Sequence, residues 1–152
     1  LLVRREIELL EAAPVPLPVL EPRGAIRADL RIEGRSLRVI GMHLDLSGLR
    51  RRHQVRSVIA HAGACASPMP TVMMGDMNEW AMHGGCFREF DTDWHVLAPG
   101  RSFPSRMPRA ALDRIIVSQE CKVVGTGVHR SALSAVGSDH LPVFACLDLP
   151  EN

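Results

Sequence analysis

Tyrosine is absent from this chain, and the other aromatic residues are four Phe and two Trp. A groove that holds a long nucleic acid relies on stacking rings and on a surplus of basic side chains. Aromatics here reach only 4%, and 18 basic against 17 acidic residues leave a net charge of +1. Composition therefore speaks against such a groove, while leaving room for a local basic patch. The four cysteines, Cys65, Cys86, Cys121 and Cys146, form no C-x-x-C pair. That argues against a zinc site or a disulfide framework, and for buried thiols in a reducing, cytoplasmic setting. No apolar run reaches the roughly 18 residues of a membrane-spanning helix. The chain starts at Leu1, and no charged stretch followed by an apolar one suggests a signal peptide. The expectation is a single domain, truncated at its N-terminus. With 152 residues, 46% of them apolar and 23% charged, it can build a real core.

Against these absences one stretch stands out, residues 71–80. An apolar run of strand length ends in Gly75-Asp76-Met77-Asn78. In extended chain, residues two apart project to one side, so Asp76 and Asn78 can face a common point past the strand's end. Their oxygens suit a hard cation such as Mg²⁺, which takes one or two protein ligands plus waters and phosphate oxygens. The same residues also suit a polar turn that caps a following helix.

The remaining pattern is mostly strands. Residues 1–10 read as a short helix or, preferably, a ragged strand. Pro14, Pro16, Pro18 and Pro22 then break regular structure. Residues 25–32 alternate polar and apolar and read as a half-buried strand. Glu33-Gly34-Arg35-Ser36 turns the chain into a return strand over 37–44, which ends at His43. Ser47-Gly48 opens a helix that Gly63 stops, with Leu49, Val55, Val58 and Ile59 inward and Arg50, Arg51, Arg52 and Arg56 on a solvated face. A short helix interrupted by Gly84-Gly85 is expected over 79–90, a brief strand over 94–97, and a polar loop over 101–109 with arginines and prolines. Strands follow over 111–118, 121–128 and 143–149.

Four strand-to-loop junctions thus each present polar groups: His43, then Asp76 with Asn78, then Asp113, then Asp139 with His140. Carboxylates can hold a metal that stabilises charge on phosphate oxygens, and a His held by an Asp can activate a water. Together they form a kit for phosphodiester hydrolysis, provided the fold brings them to one pocket. An unrelated α/β domain with ordinary polar turns would leave them scattered.

The ordered segments Met42-His43-Leu44, Gly75-Asp76-Met77-Asn78, Leu112-Asp113-Arg114-Ile115 and Ser138-Asp139-His140-Leu141-Pro142-Val143 resemble the motif series of the endonuclease/exonuclease/phosphatase superfamily. The resemblance implies an α+β fold, a four-layer α/β-β/α sandwich of mainly antiparallel sheets, with its second half complete here and its first half partial. It implies a Mg²⁺-dependent phosphoester hydrolase, Mn²⁺ being a possible substitute. Asp139 would bind the principal metal. Asp76 and Asn78 would hold the phosphate, the attacking water or a second metal. His140, steered by Asp113, would be the base or the phosphate-stabilising group, and His43 would contact the scissile phosphate. Phe103 and nearby Arg106 would lie on the substrate side. The substrate would be a phosphate ester: nucleic acid, phospholipid head group or sugar phosphate.

One feature departs from the family pattern. Its first-strand Asn and the metal-binding Glu of a Gln-Glu pair have no counterpart here, and Glu6, Glu8 and Glu11 lack the context. Weak metal binding and little activity are therefore expected of this chain alone. The alternative is an impaired relative that serves as a binding module. An exposed sheet edge would invite self-association.

Overall fold

The computed structural model describes residues 1–18 and 23–151. Its main body is a six-stranded sheet in the order β1-β2-β3-β4-β6-β5. The strands are β1 (Glu8–Val15), β2 (Gly24–Ile32), β3 (Arg35–His43), β4 (Thr71–Asp76), β5 (Trp94–Leu97) and β6 (Asp113–Ser118). Every pairing is antiparallel except β3 with β4, which are parallel and joined by helix α1 (Gly48–Gly63). Strands β7 (Lys122–Val128) and β8 (Val143–Asp148) form a separate antiparallel pair. A one-turn helix α2 (Ser134–Gly137) connects them.

Alternation along the strands divides the core in two. Ile40, Met42, Met73 and Ile116 pack on one face of the large sheet against Val55 and Val58 of α1. Leu30, Leu37, Val39, Val72, Ile115 and Val117 pack on the other face, against Val123, Val143, Ala145 and Leu147 of β7 and β8. The molecule is thus α+β, with two sheets face to face and a helix outside the larger one. The larger sheet carries six strands with α1 on its outer face, and the smaller one is built by the chain's last two strands.

Several local expectations need correction. Residues 1–10 do not form one strand; β1 starts at Glu8 and runs through Pro14 to Val15. Pro14 does not break it, because β1 pairs only with β2 and a missing amide is tolerated on such an edge. Pro22 lies outside the described residues. Strand β2 is not half buried: Arg27 and Asp29 are as buried as Ala28 and Leu30, since both sheet faces are covered. Asp29 accepts two hydrogen bonds, at 2.8 and 2.9 Å, from the buried Arg38 guanidinium. The arginine face of α1 is only partly solvated, because Arg51 is buried against Glu79 while Leu49 is 67% exposed. The expected helix over 79–90 shrinks to a 3₁₀ turn, Gly85–Glu89. Cys86 and Cys121 are buried thiols, but Cys146 is exposed.

The hairpin between β2 and β3 follows its sequence closely. Glu33 and Gly34 both take positive φ, 50° and 83°, as a two-residue turn between twisted strands requires.

Candidate active site

The register of the large sheet assembles the site. His43 is paired with Asp76 across β3 and β4, and Asp76 with Asp113 across β4 and β6. Three polar residues thus stand side by side at one rim. The alternation that turns Leu37 and Val39, Met74, and Ile115 and Val117 toward the small sheet carries His43, Asp76 and Asp113 to the same side. The loop 129–142, which leads into β8, adds Asp139 and His140 from across the gap. All five line one open cleft of about 500 Å³, together with Asn78 and Phe103.

Gly75 makes the close approach of β3 and β4 possible. Its φ is 144°, and a Cβ there would lie 1.8 Å from the Met42 carbonyl oxygen. Only glycine tolerates both conditions. Beyond Asp76 the chain does not continue extended: Asn78 has φ 48°. The expected two-residue alternation is therefore replaced by a turn in which the Asn78 N–H donates to Asp76 Oδ1 at 2.8 Å. The Asn78 side chain donates from Nδ2 to the Leu44 carbonyl at 2.9 Å. Both residues still reach the cleft, by a different backbone route.

His140 is held from one side and open on the other. Its Nδ1 lies 2.8 Å from Asp113 Oδ2. A carboxylate accepts, so Nδ1 carries the proton and Nε2 faces the cleft, 3.8 Å from Asp76 Oδ2. Burial opposes the charged imidazolium. The hydrogen bond and charge of Asp113, with Asp76 and Asp139 nearby, outweigh it and raise the His140 pKa above the usual histidine value. Ser102, fully buried, donates to the same Asp113 oxygen at 2.5 Å. Two backbone bonds flank the His140 loop: Ser105 N–H to the Asp139 carbonyl at 2.7 Å and Leu141 N–H to the Ser102 carbonyl at 2.8 Å. The Phe103 ring tilts against the imidazole, with centroids 4.9 Å apart. On the opposite wall His43 Nε2 stands 3.5 Å from Asp76 Oδ2.

The structure therefore brings together His43, Asp76, Asn78, Asp113, Asp139, His140 and Phe103. It does not bring Arg106, whose exposed side chain does not line the cleft. Its loop position gave no directional information, and the fold turns Phe103 inward and Arg106 outward. Sequence reasoning missed Arg23, whose guanidinium donates to the His43 ring and lines the cleft. It also missed Ser102 and Glu79. Buried Glu79 accepts from Ala81 N–H, Cys86 N–H and Arg51 Nη2, at 3.1, 3.1 and 3.2 Å. These bonds fix the turn after Asn78, and no local pattern marks them. Burial pushes the neighbouring Cys86 thiol up to about 12, so it stays protonated and inert.

Donor chemistry bears on a cation. Asp76, Asp139 and the Asn78 amide offer oxygens to one cleft, as a hard cation prefers. Among the described residues no three His, Cys, Asp or Glu side chains are arranged to hold a metal ion by themselves. That set fits Mg²⁺ held by one or two carboxylates and completed by water and phosphate oxygens.

The family assignment rests on a match over residues 2–140 to the Endonuclease/Exonuclease/phosphatase family. The chain belongs to this family. Solved structures with the same fold include the endonuclease/exonuclease/phosphatase from Bacteroides vulgatus, 16% identical, with a TM-score of 0.81 over 95% of this chain and 67% of that one. D. rerio TDP2 complexed with single strand DNA product is 14% identical, with a TM-score of 0.75 over 93% of this chain and 68% of that one. A Bacteroides thetaiotaomicron mannosyl-6-phosphatase is 17% identical, with a TM-score of 0.74 over 94% and 67%. The chain thus spans about two thirds of these relatives. No curated protein matches it. The family's name covers nucleases and phosphatases, which share the cleavage of phosphoester bonds. Among the described residues no helix is long and apolar enough to cross a membrane.

Proposed function

We propose that this endonuclease/exonuclease/phosphatase family chain is a divalent-metal-dependent phosphoester hydrolase of phosphodiesterase or nuclease type. The observation that carries the reading is the Asp113–His140 pair, buried on one side and facing Asp76 across the cleft. The imidazolium of His140 donates from Nε2 to a non-bridging phosphate oxygen, where negative charge grows as water attacks. Asp113 holds the ring in that orientation. Asp76 Oδ2 accepts the proton of the attacking water as the new P–O bond forms and the bond to the leaving oxygen breaks. His43, backed by Arg23, contacts the phosphate from the other wall. Asp139, Asp76 and Asn78 would hold Mg²⁺ or Mn²⁺, which when bound supplies further neutralisation of phosphate charge.

Hydrolysis of bis(p-nitrophenyl) phosphate in Mg²⁺, by the full-length gene product and its Asp139→Ala and His140→Ala variants, tests the reading. Each variant is expected to lose about 100-fold or more in rate. Equal activity in all three would defeat it. The relatives above act on or bind DNA and a mannosyl phosphate, which supports reading this chain's substrate as a phosphate ester.

The family's metal-binding Glu of a Gln-Glu pair has no counterpart among these residues, which motivates a second reading, a binding module without turnover. Calorimetric titration with Mg²⁺ and Mn²⁺ separates the two. Saturable binding of either ion, even weak, supports the hydrolase, and absence of binding supports the module. Self-association belongs to the proposal as well, through β1, whose outer side has no strand partner among the described residues. A sedimentation coefficient independent of concentration would remove it.

A further inference from the structure

The cleft that holds His140 shares a wall with a second hollow, of about 330 Å³, and the shared wall is Trp80. Met82, Arg101 and Arg109 also line this hollow, over a floor of the small residues Ala110 and Ala111. The indole of Trp80 is 68% exposed, which is unusual for so large an apolar ring. Its backbone is nevertheless fixed. Asn78 and Glu79 before it are buried, and the Glu79 carboxylate holds the amide of Ala81 after it. A solvent-facing indole on an anchored stretch of backbone, lining one hollow with two arginines, suits a flat π-system joined to an anion. The volume sits at the small end for a ligand pocket, enough for one ring system and not for a chain of them.

We propose that this hollow is a subsite for the nucleobase of a nucleotide whose phosphate ester lies in the His140 cleft. The base stacks on Trp80, and Arg101 and Arg109 supply the positive field at its edge. The inference rests on the phosphoester-hydrolase reading for the placement of the phosphate. It also agrees with the composition: the absence of tyrosine and a net charge of +1 speak against a long stacking groove, whereas one tryptophan suffices for one base.

Calorimetry on the wild-type chain with adenosine 5′-monophosphate, ribose 5-phosphate and inorganic phosphate tests it directly. The nucleotide is expected to bind at least about tenfold tighter than ribose 5-phosphate, the range that a single base–aromatic stack contributes. Trp80→Ala should erase that difference, so that the nucleotide and ribose 5-phosphate bind the variant equally. Trp80→Leu keeps apolar bulk without the ring face and should behave like Trp80→Ala. Only two tryptophans are present, so in Trp94→Phe the fluorescence reports Trp80 alone. Saturable quenching by the nucleotide and none by ribose 5-phosphate is expected. Equal affinity for the two ligands in the wild type overturns the proposal. So does Trp80-dependent partitioning onto phosphatidylglycerol vesicles without nucleotide preference, which would make the indole a lipid-surface anchor. These readouts need no turnover, so failure of the His140→Ala rate test and failure of the subsite are separate results.

Discussion

At the scale of single residues, the site is a chain of contacts in which each group is held by one further from the cleft. Ser102 holds Asp113, Asp113 holds His140, and His140 faces Asp76. Asp113→Asn should lower the rate by about 100-fold or more. It should also lower the His140 pKa, since the largest favourable contributions come from Asp113. An NMR titration of the imidazole measures that shift, and an unmoved midpoint would contradict the arrangement. The sign for stability follows. His140 has a raised folded pKa, so its contribution is fully present below its unfolded pKa and is lost as pH rises through the folded value. In Asp113→Asn that alkaline-side slope should flatten. Ser102→Ala removes one buried donor and should cost about 1–3 kcal/mol in denaturant unfolding.

At the scale of elements, the turn after β4 depends on two features that its neighbours dictate. Gly75 lets β3 and β4 approach, and Gly75→Ala should destabilise by about 2 kcal/mol or more through the clash with Met42 and the strained φ. Thermal unfolding measures it; a change within experimental error would mean the strands part easily. Glu79 ties this turn to α1 and to the 3₁₀ segment. Burial works against its charge, but the amides of Ala81 and Cys86 and the guanidinium of Arg51 prevail and lower its pKa. Its stabilisation is therefore present above the unfolded pKa, roughly 4.3, and is lost as pH falls through the lower folded value. Glu79→Gln should flatten the acid limb of the stability–pH curve and lower neutral stability by about 1–3 kcal/mol.

At the scale of the whole molecule, the larger sheet is a shared wall. Its two faces serve two cores, one under α1 and one under the small sheet. Ile116 is fully buried at the centre of β6, between β4 and β5. Ile116→Ala should cost about 2–5 kcal/mol. Asp113 lies on the same strand, so the variant should lose activity at a lower temperature than wild type, in step with its melting. The small sheet matters for function because it carries the loop of Asp139 and His140 to the rim where β3, β4 and β6 end. The site is therefore a property of how the two sheets face each other, and neither sheet contains it alone.

Much of this was legible from the chain. Hairpin chemistry at Glu33-Gly34, the helix opened by Ser47-Gly48, the strand ending in Gly75-Asp76 and the polar groups at four strand ends are local signals, and local backbone physics decides them. The motif series likewise pointed to the phosphoester-cleaving family that the match over residues 2–140 shows. Strand order and register were out of reach, because they depend on which apolar faces meet across long loops. Only that pairing puts His43, Asp76 and Asp113 in one row and His140 opposite them. The same tertiary choice buried Asp29, Arg38, Arg51 and Glu79 as paired ions, where composition alone reads charged residues as surface. It turned Arg106 away and Trp80 toward the cleft, since a loop's direction comes from what it packs against.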